Sequence, residues 1–361
     1  MSDKNQRAVS WYSMSGKDDD VIISTRVRLA RNLADFMFPS KMTADDAARI
    51  QSLIYDASAF NQNYSLIDLA SISTASKRLL KDKNILSGKK CGAILLDGSR
   101  EASFCLINES DHLKIVEYAA GFDCDGPVRS CYEKDELFQN KLQFAGSFQL
   151  GYLTSRLRDL GSGLKITVRI FIPATVLSGS LKTVTDFLNE KDCFLTPLFP
   201  SETKRADFSN FLFDLSSSNS FSGSELEQLA QIESAVMHLL KTERKISAEF
   251  ADNNPTVVLN FFRQSYAKAM NSLLLSYDEA VDLISCMKWG LSAKLIKGIS
   301  HAQLNSMYFA TKDGFLDYTC NSYAFEFEED IKSDVDLKLK RLRAAVIQQT
   351  FEEIKNEKSV S

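Results

Sequence analysis

Apolar and polar residues alternate along Leu164–Pro173, with Ile166, Val168, Ile170 and Ile172 on one side and Lys165, Thr167 and Arg169 on the other. A period of two predicts a strand with one buried face. Ile23–Leu33 alternates in the same way, basic against apolar. Cys91–Leu96 and Ala102–Asn108 read as two strands joined by a turn through Asp97-Gly98. Phe208–Ser216 reads as another, with Phe211, Phe213 and Leu215 on one face. Thr43–Ser58 has helical spacing instead, with Thr43 as N-cap, Asp46 at the third position and an apolar stripe of Ala47, Ile50, Leu53 and Ile54. A second helix starts at Ser224, where Glu227 completes a capping box, and its stripe is Leu226, Leu229, Ile232, Val236 and Leu239. After the polar break Ala251–Pro255 the pattern is almost wholly helical. Segments start near Pro255, Ser276 and Ser300, and a last helix spans about Ser333–Lys355. The patterning predicts a polar, frayed N-terminus (1–19), a mixed α+β unit (20–250) and a helical unit (251–361).

Composition narrows the class. The 361 residues suffice for one large or two ordinary domains, and 44% apolar with 25% charged residues is ordinary for a globular protein. A net charge of −4 argues against general nucleic-acid binding. No apolar run is long enough for a transmembrane helix, and no secretory leader is recognised. Seven cysteines without C-x-x-C spacing predict free thiols in a reducing cytoplasm. The three histidines, His112, His238 and His301, do not pair with cysteines at zinc-ligand spacing, so no protein metal site is expected.

The candidate chemistry sits in Ser24-Thr25-Arg26-Val27-Arg28-Leu29-Ala30-Arg31. Arg26 and Arg28 are two apart and leave an extended segment on one face, as a pair of planar forks suited to phosphate oxygens. The run resembles the S-[ST]-R-[IV]-R-x-x-R signature of the phosphagen kinases, the ATP:guanidino phosphotransferases, and most of all their bacterial protein-arginine kinase branch. Further segments resemble the family in order: Lys77-Arg78-Leu79-Leu80 with Leu86-Ser87, Asn108-Glu109-Ser110-Asp111-His112-Leu113-Lys114, Gly151-Tyr152-Leu153-Thr154-Ser155 followed by Gly161-Ser162-Gly163-Leu164-Lys165, and Arg343-Ala344-Ala345.

The resemblance implies an α+β catalytic domain of the glutamine-synthetase-like type, an antiparallel sheet flanked by helices, followed by a helical dimerisation and regulatory domain. It implies ATP, with Mg²⁺ carried on the nucleotide. It assigns Ser24, Thr25, Arg26, Val27, Arg28, Lys114, Lys165 and Arg169 to the nucleotide, with charge from Lys204 and Arg205. Arg26, Arg28, Lys114, Lys165 and Arg169 are expected around one concave anion site. It also implies protein clients, a homodimer, a small zinc-binding activator protein and a Clp-type AAA+ unfoldase as partners, and a cytoplasmic protein bound to neither nucleic acid nor membrane.

The chain departs from the family pattern where guanidine chemistry is done. The second carboxylate of N-E-E-D-H, which orients the guanidinium and takes its proton, is Ser110. Glu109, if the segment is extended, points to the opposite face. The family's thiol position is Arg156, a like charge for a guanidinium acceptor. Two forked arginines are replaced by Lys114 and Lys165, and Asn84 stands at a nucleotide-side histidine position. Asp111 and His112 read as turn and packing residues, and Arg156 with Arg158 as a salt-bridged loop. Of the regulatory R-D-x-x-R-A motif only Arg343-Ala344 remains. Two functions stay open: a protein-arginine-kinase-like phosphotransferase with weak or lost activity, or an inactive pseudokinase acting as scaffold in a Clp-type quality-control or stress-response system.

Overall fold

β1 (Ile22–Arg31) occupies the middle of the main sheet because its apolar positions are buried on one side while its arginines are shared with strands on both edges. The computed structural model describes residues 10–86, 91–199, 211–217 and 224–356. Lys204, Arg205 and the first residues of the expected strand 208–216 lie outside them. The other strands of the sheet are β2 (Tyr64–Asp68), β3 (Ala93–Asp97), β4 (Ser103–Ile107), β5 (Leu113–Ala120), β8 (Leu164–Phe171), β9 (Cys193–Pro197) and β10 (Leu212–Ser217). A two-residue pair, β6 (Gly146–Ser147) and β7 (Gly151–Tyr152), forms a separate hairpin. The main sheet runs β2-β3-β4-β5-β1-β8-β10-β9, with every neighbouring pair antiparallel.

One face of the sheet is mainly apolar, with Thr25 and Glu117 as buried polar exceptions. Val27, Leu29, Ile115, Ile166, Val168 and Leu215 pack there with residues of α1 (Ala44–Ala57), α3 (Asp125–Gln139), α5 (Leu181–Glu190) and α6 (Glu225–Asn253). Each such side chain, fully buried, contributes about 1.5–3 kcal/mol. Thr43 caps α1 by accepting from the Asp46 amide, and Ser224 and Glu227 form the capping box of α6. Ile50 and Ile54 are fully buried, but Leu53 and Leu226, expected in the apolar stripes, are exposed. Phe211 also departs from the expectation. It precedes β10, so strand alternation does not govern it, and it packs with the opposite core.

The other face is shared between polar residues and the helical unit. That unit comprises α7 (Pro255–Asn271), α8 (Tyr277–Ser292), α9 (His301–Ala310), α10 (Asp313–Ser322) and α11 (Val335–Phe351). Capping boxes at Ser276–Glu279 and Ser300–Gln303 start α8 and α9. A short pair, β11 (Ile296–Lys297) and β12 (Lys355–Asn356), closes it. Its apolar residues join Ile94, Phe104, Val116, Tyr118, Phe171 and Leu212 of the sheet in one continuous core. α2 (Thr74–Asp82) is tied to it as well, since Asp82 accepts from the Gly314 amide and from Lys312. The short α4 (Pro173–Leu177) receives the buried Glu243 of α6 at its amides.

Residues 10–19 are not frayed, contrary to the sequence reading. Trp11 and Tyr12 are buried between the sheet and the helical unit. Trp11 stacks on Tyr118 at 4.6 Å and Tyr12 on Phe309 at 4.6 Å. Two aromatic anchors outweigh the polar character of their neighbours. The segment is fastened further on, where Arg244 pairs with Asp18 and Asp20 and where Lys288 and Asn305 donate to the Asp19 carbonyl.

Candidate anion and phosphoryl-transfer site

Strand alternation decides which residues of β1 reach this site. Ser24, Arg26 and Arg28 lie on the face turned toward the helical unit. The side chains of Thr25 and Val27 lie on the opposite face, away from the five expected cations. Val27 is fully buried in the helix-covered core, and the Thr25 hydroxyl donates to the Gly121 carbonyl and accepts from the Asp123 amide. On β8, Lys165 stands opposite Arg28, Thr167 opposite Arg26 and Arg169 opposite Ser24. Lys114 on β5 stands opposite Ala30, one diagonal step from Arg28. The expected five cations, Arg26, Arg28, Lys114, Lys165 and Arg169, therefore share one face of three adjacent strands.

Their partners differ. Arg28 Nη2 bonds Asp159 Oδ2 at 2.7 Å, while Arg28 Nε is buried without an acceptor. Burial, with the charges of Arg26 and Arg156, holds the Arg28 pKa below its ordinary value against the pull of Asp159. Lys165 makes no hydrogen bond or ion pair among the described residues. Burial first, then Arg28, Arg158 and Arg26, push it down to about 8, with Asp159 acting the other way. Arg169 forms a fork with Asp214 at 2.9 and 3.1 Å. Burial lowers the proton affinity of Arg169, but Asp214 reverses this and raises it. Among the described residues the Arg26 guanidinium bonds only the Tyr118 hydroxyl, at 3.5 Å.

The loop Asn108–His112 is a tight turn between β4 and β5, not an extended segment. Asn108 has φ +54°, and the Glu109 amide donates to the Asp111 carbonyl. This brings Glu109 to the same side as Ser110, correcting the expectation that it faces away. Glu109 Oε2 accepts from the Ser110 amide at 3.0 Å, from its hydroxyl at 3.1 Å, and from Lys114. Lys114 also donates to Ser110 Oγ. Asp111 is fully buried. Its Oδ1 accepts from Asn32 and the Ser155 amide, and its Oδ2 accepts from Ser110 at 3.1 Å and lies 3.6 Å from Lys114. His112 Nδ1 accepts from the Leu33 amide, which leaves Nε2–H to donate to the Met37 carbonyl. Burial lowers its pKa, so the ring stays neutral. Both residues hold the turn in place.

The loop after β7 carries Arg156 and Asp159. It is held by Arg31, itself 1% exposed. The Arg31 guanidinium bonds Asp135 through Nε and Nη2 at 3.2 and 2.6 Å, donates to the carbonyls of Ala30 and Ser162, and stacks on Tyr152 at 3.6 Å. Gly163 (φ +69°) has no room for a side chain, since a Cβ there would meet Ala30 O and Arg31 Nη1 at 2.6 Å. Arg156 is not part of an internal salt bridge, and its guanidinium has no hydrogen bond or ion pair among the described residues. Its charge acts on Arg28.

Residues missed in the sequence are Tyr118, Asp159 and Asp214. Asp214 had a signal, as the polar residue between Phe213 and Leu215 in a strand; Asp159, in an irregular loop, had none. Asn84 (φ +58°) lies in a cavity of about 190 Å³ with Arg169, Tyr277, Phe309 and Lys312, where the helical unit covers one end of the site. Arg343 does not line it. It is buried in the helical unit and donates to the carbonyls of Thr311 and Leu275, both at 2.7 Å, and to Asp313.

Seven cations (Arg26, Arg28, Lys114, Arg156, Arg158, Lys165, Arg169) and four carboxylates (Glu109, Asp111, Asp159, Asp214) meet around this face. The excess is positive, and among the described residues its donors without an acceptor include Arg28 Nε, the Lys165 ammonium and the Arg156 guanidinium. The donor set fits a polyanion such as a nucleotide triphosphate.

The family profile for ATP:guanido phosphotransferase, C-terminal catalytic domain, matches residues 47–246. A protein-arginine kinase from Geobacillus sp. is 26% identical over 338 residues, covering 91% of this chain and 92% of the relative. One from Shouchella clausii is 25% identical over 316 residues, covering 85% and 87%. Among solved structures, the duplicated taurocyamine kinase from Schistosoma mansoni with bound transition-state-analogue components superposes with a TM-score of 0.57 at 19% identity, over 65% of this chain. This chain spans 35% of that longer one. A lombricine kinase gives 0.54 at 17% identity, over 66% of this chain and 71% of that one. At such identities these likenesses speak for the fold, which is an antiparallel sheet flanked by helices with a helical C-terminal part. The profile covers more than half of the sequence, and the chain belongs to the ATP:guanido phosphotransferase family.

Proposed function

We propose that this chain is a protein-arginine-kinase-like ATP:guanidino phosphotransferase that retains nucleotide binding but whose transfer to arginine side chains is weak or lost. Family membership and the protein-arginine kinase relatives support the reaction class and protein substrates. Arg26, Arg28 and Lys165 would hold phosphate oxygens, with Arg169 nearest the covered end. ATP, with its Mg²⁺, would supply the phosphoryl group.

One observation carries the doubt about transfer. A guanidinium is protonated far above neutral pH and needs a carboxylate free to orient it and take a proton. Ser110 stands where that carboxylate belongs, and both neighbours are engaged: Glu109 with Lys114 and Ser110, Asp111 with Asn32, Ser155, Ser110 and Lys114. Arg156 adds a repelling charge. Losing a general base typically lowers a rate by about 10² to 10⁴.

The second reading is an inactive scaffold, favoured by the same double departure at Ser110 and Arg156. Its proposed setting, from the family resemblance, is a cytoplasmic homodimer working with a zinc-binding activator and a Clp-type unfoldase. Sensing of phosphoarginine through Arg343 is not part of either reading, because every arm of that guanidinium is already bound. The experiment is incubation of the chain with MgATP and an arginine-rich protein, with acid-labile phosphoarginine measured beside ATP affinity. Phosphoarginine at rates ordinary for a kinase would overturn the reading of weakened transfer.

A further inference from the structure

Helix α1 has a second uncharged side besides its buried one. Ile50, Ile54 and Ala57 face the core. Ala47, Ala48, Gln51, Ser52 and Tyr55, spaced i, i+1, i+4, i+5 and i+8, line a groove of about 940 Å³. Ala48, Ser52 and Tyr55 are exposed, where a solvent-facing helix side normally carries charge. The charged residues of α1, Asp45, Asp46, Arg49 and Asp56, all lie off this side. Leu66, Leu69 and Leu86 add an apolar floor. A further wall is α2, which brings Lys77 and Lys81, one turn apart. Neither lysine has an ion pair or hydrogen bond among the described residues. Asp68, the carboxylate of the lining, accepts from the Ala70 amide at 2.9 Å. The walls are fixed from outside the groove. The Gly314 amide of α10 donates to Asp82, and a Cβ on Gly314 would meet the α2 backbone at 2.8 Å. The Asn108 side-chain amide, at the head of the turn that carries Glu109 and Ser110, donates to the Ala47 carbonyl at 2.9 Å.

These walls select one kind of occupant. The uncharged side of α1 and the leucine floor suit apolar side chains. The two unpaired ammonium groups suit carboxylates beside them. From Ala47 to Tyr55 the α1 wall runs about 12 Å, the length of roughly two helical turns. Cations at i and i+4 on one helix match carboxylates at i and i+4 on a helix laid against it. We propose that the groove between α1 and α2 docks an acidic amphipathic helix of a partner protein. Its apolar side chains lie on the Tyr55 wall and the leucine floor, and its carboxylates meet Lys77 and Lys81. The docking requires neither nucleotide binding nor phosphoryl transfer.

The test uses the full chain and two fluorescein-labelled peptides of about four helical turns. Both carry leucine at i, i+3, i+4 and i+7; one has glutamate on its polar face and the other lysine. Fluorescence anisotropy reads binding at fixed ionic strength. The glutamate peptide is expected to bind and the lysine peptide not. Lys77→Glu with Lys81→Glu lowers the affinity by about tenfold or more, whereas the same charge change on the exposed face of α6, Lys241→Glu with Lys245→Glu, does not. Ala48→Trp fills the groove from an exposed position and lowers the affinity by a similar factor, with a thermal melt confirming that the variant is folded. The inference is overturned if neither peptide binds or if both bind alike. It is equally overturned if the α2 and α6 variants weaken binding to the same extent, which is general charge attraction, or if Ala48→Trp leaves binding unchanged, which places the peptide outside the groove. A chain that binds the glutamate peptide but no MgATP fails the function proposed above and leaves the docking groove standing.

Discussion

Lys165 is a cation whose charge its own surroundings weaken, and this makes the anion site dependent on pH in a calculable way. Burial and then Arg28, Arg158 and Arg26 bring its pKa down to about 8 from an ordinary lysine value of 10.5. Bound phosphate oxygens would supply the missing counter-charge and restore the ordinary value. The sign follows from linkage. Below pH 8 the free and the bound protein both carry the proton, so affinity is constant. Between about 8 and 10.5 only the complex holds it, so affinity falls by up to about tenfold per pH unit. From pH 7 to 9.5 the loss is about 30-fold, or about 2 kcal/mol. Calorimetric titration with MgATP at fixed ionic strength reads this directly. Near pH 8 binding also takes up about half a proton, visible as a dependence of the measured enthalpy on the buffer. Lys165→Arg keeps its charge throughout and removes the step. Lys312, which burial and Arg169 also bring down to about 8, remains in that variant and serves as the control. A native affinity that is flat from pH 7 to 9.5, or an equal fall in Lys165→Arg, refutes the reasoning.

Other outcomes follow from buried charges. Lys288 is fully buried and brought down to about 7 by burial, partly opposed by Asp19 and Asp20. Its penalty is therefore nearly absent above pH 10.5 and full below about 7, so Lys288→Met raises stability by about 4 kcal/mol more at pH 6.5 than at pH 10.5. Denaturant titrations at the two pH values check this, and an equal effect at both would refute it. Arg31→Ala strands Asp135 in the core and costs about 3–5 kcal/mol in urea unfolding, with Arg31→Lys restoring only part. Arg343→Ala removes donors from the Thr311 and Leu275 carbonyls and lowers the melting temperature, which a thermal melt beside the native chain checks.

The strands with one apolar face, such as β8, were legible because alternation follows directly from the pleat. The helices at Thr43, Ser224, Ser276 and Ser300 announced themselves through caps. β5 was harder to read because it buries Lys114 and Glu117, charges that are tolerated only by pairing with Glu109 on the adjacent turn and Lys134 on α3. The N-terminal segment was misread because Trp11 and Tyr12 are anchored by aromatic partners 107 and 297 positions away, at Tyr118 and Phe309. At the site, spacing alone put Arg26 with Arg28 and Lys165 with Arg169, each pair on one face of its own strand, while bringing the two pairs together came from the family resemblance. The placement of Glu109 was not, since it depends on a left-handed Asn108 that no periodicity reveals. Nor could the sequence show that Arg28 spends one arm on Asp159 while the Lys165 and Arg156 side chains have no ion pair among the described residues.

The central claim is that this fold keeps an anion-binding face while lacking a free carboxylate to activate a guanidinium. The most direct measurement compares the native chain with a Ser110→Glu, Arg156→Cys double variant, scoring MgATP affinity and acid-labile phosphoarginine on an arginine-rich protein in the same preparations. The account predicts that both bind MgATP and that the double variant forms phosphoarginine at least about 10²-fold faster. Equal rates in the two proteins, or a native chain that transfers at a rate ordinary for a kinase without the restored carboxylate, would contradict it.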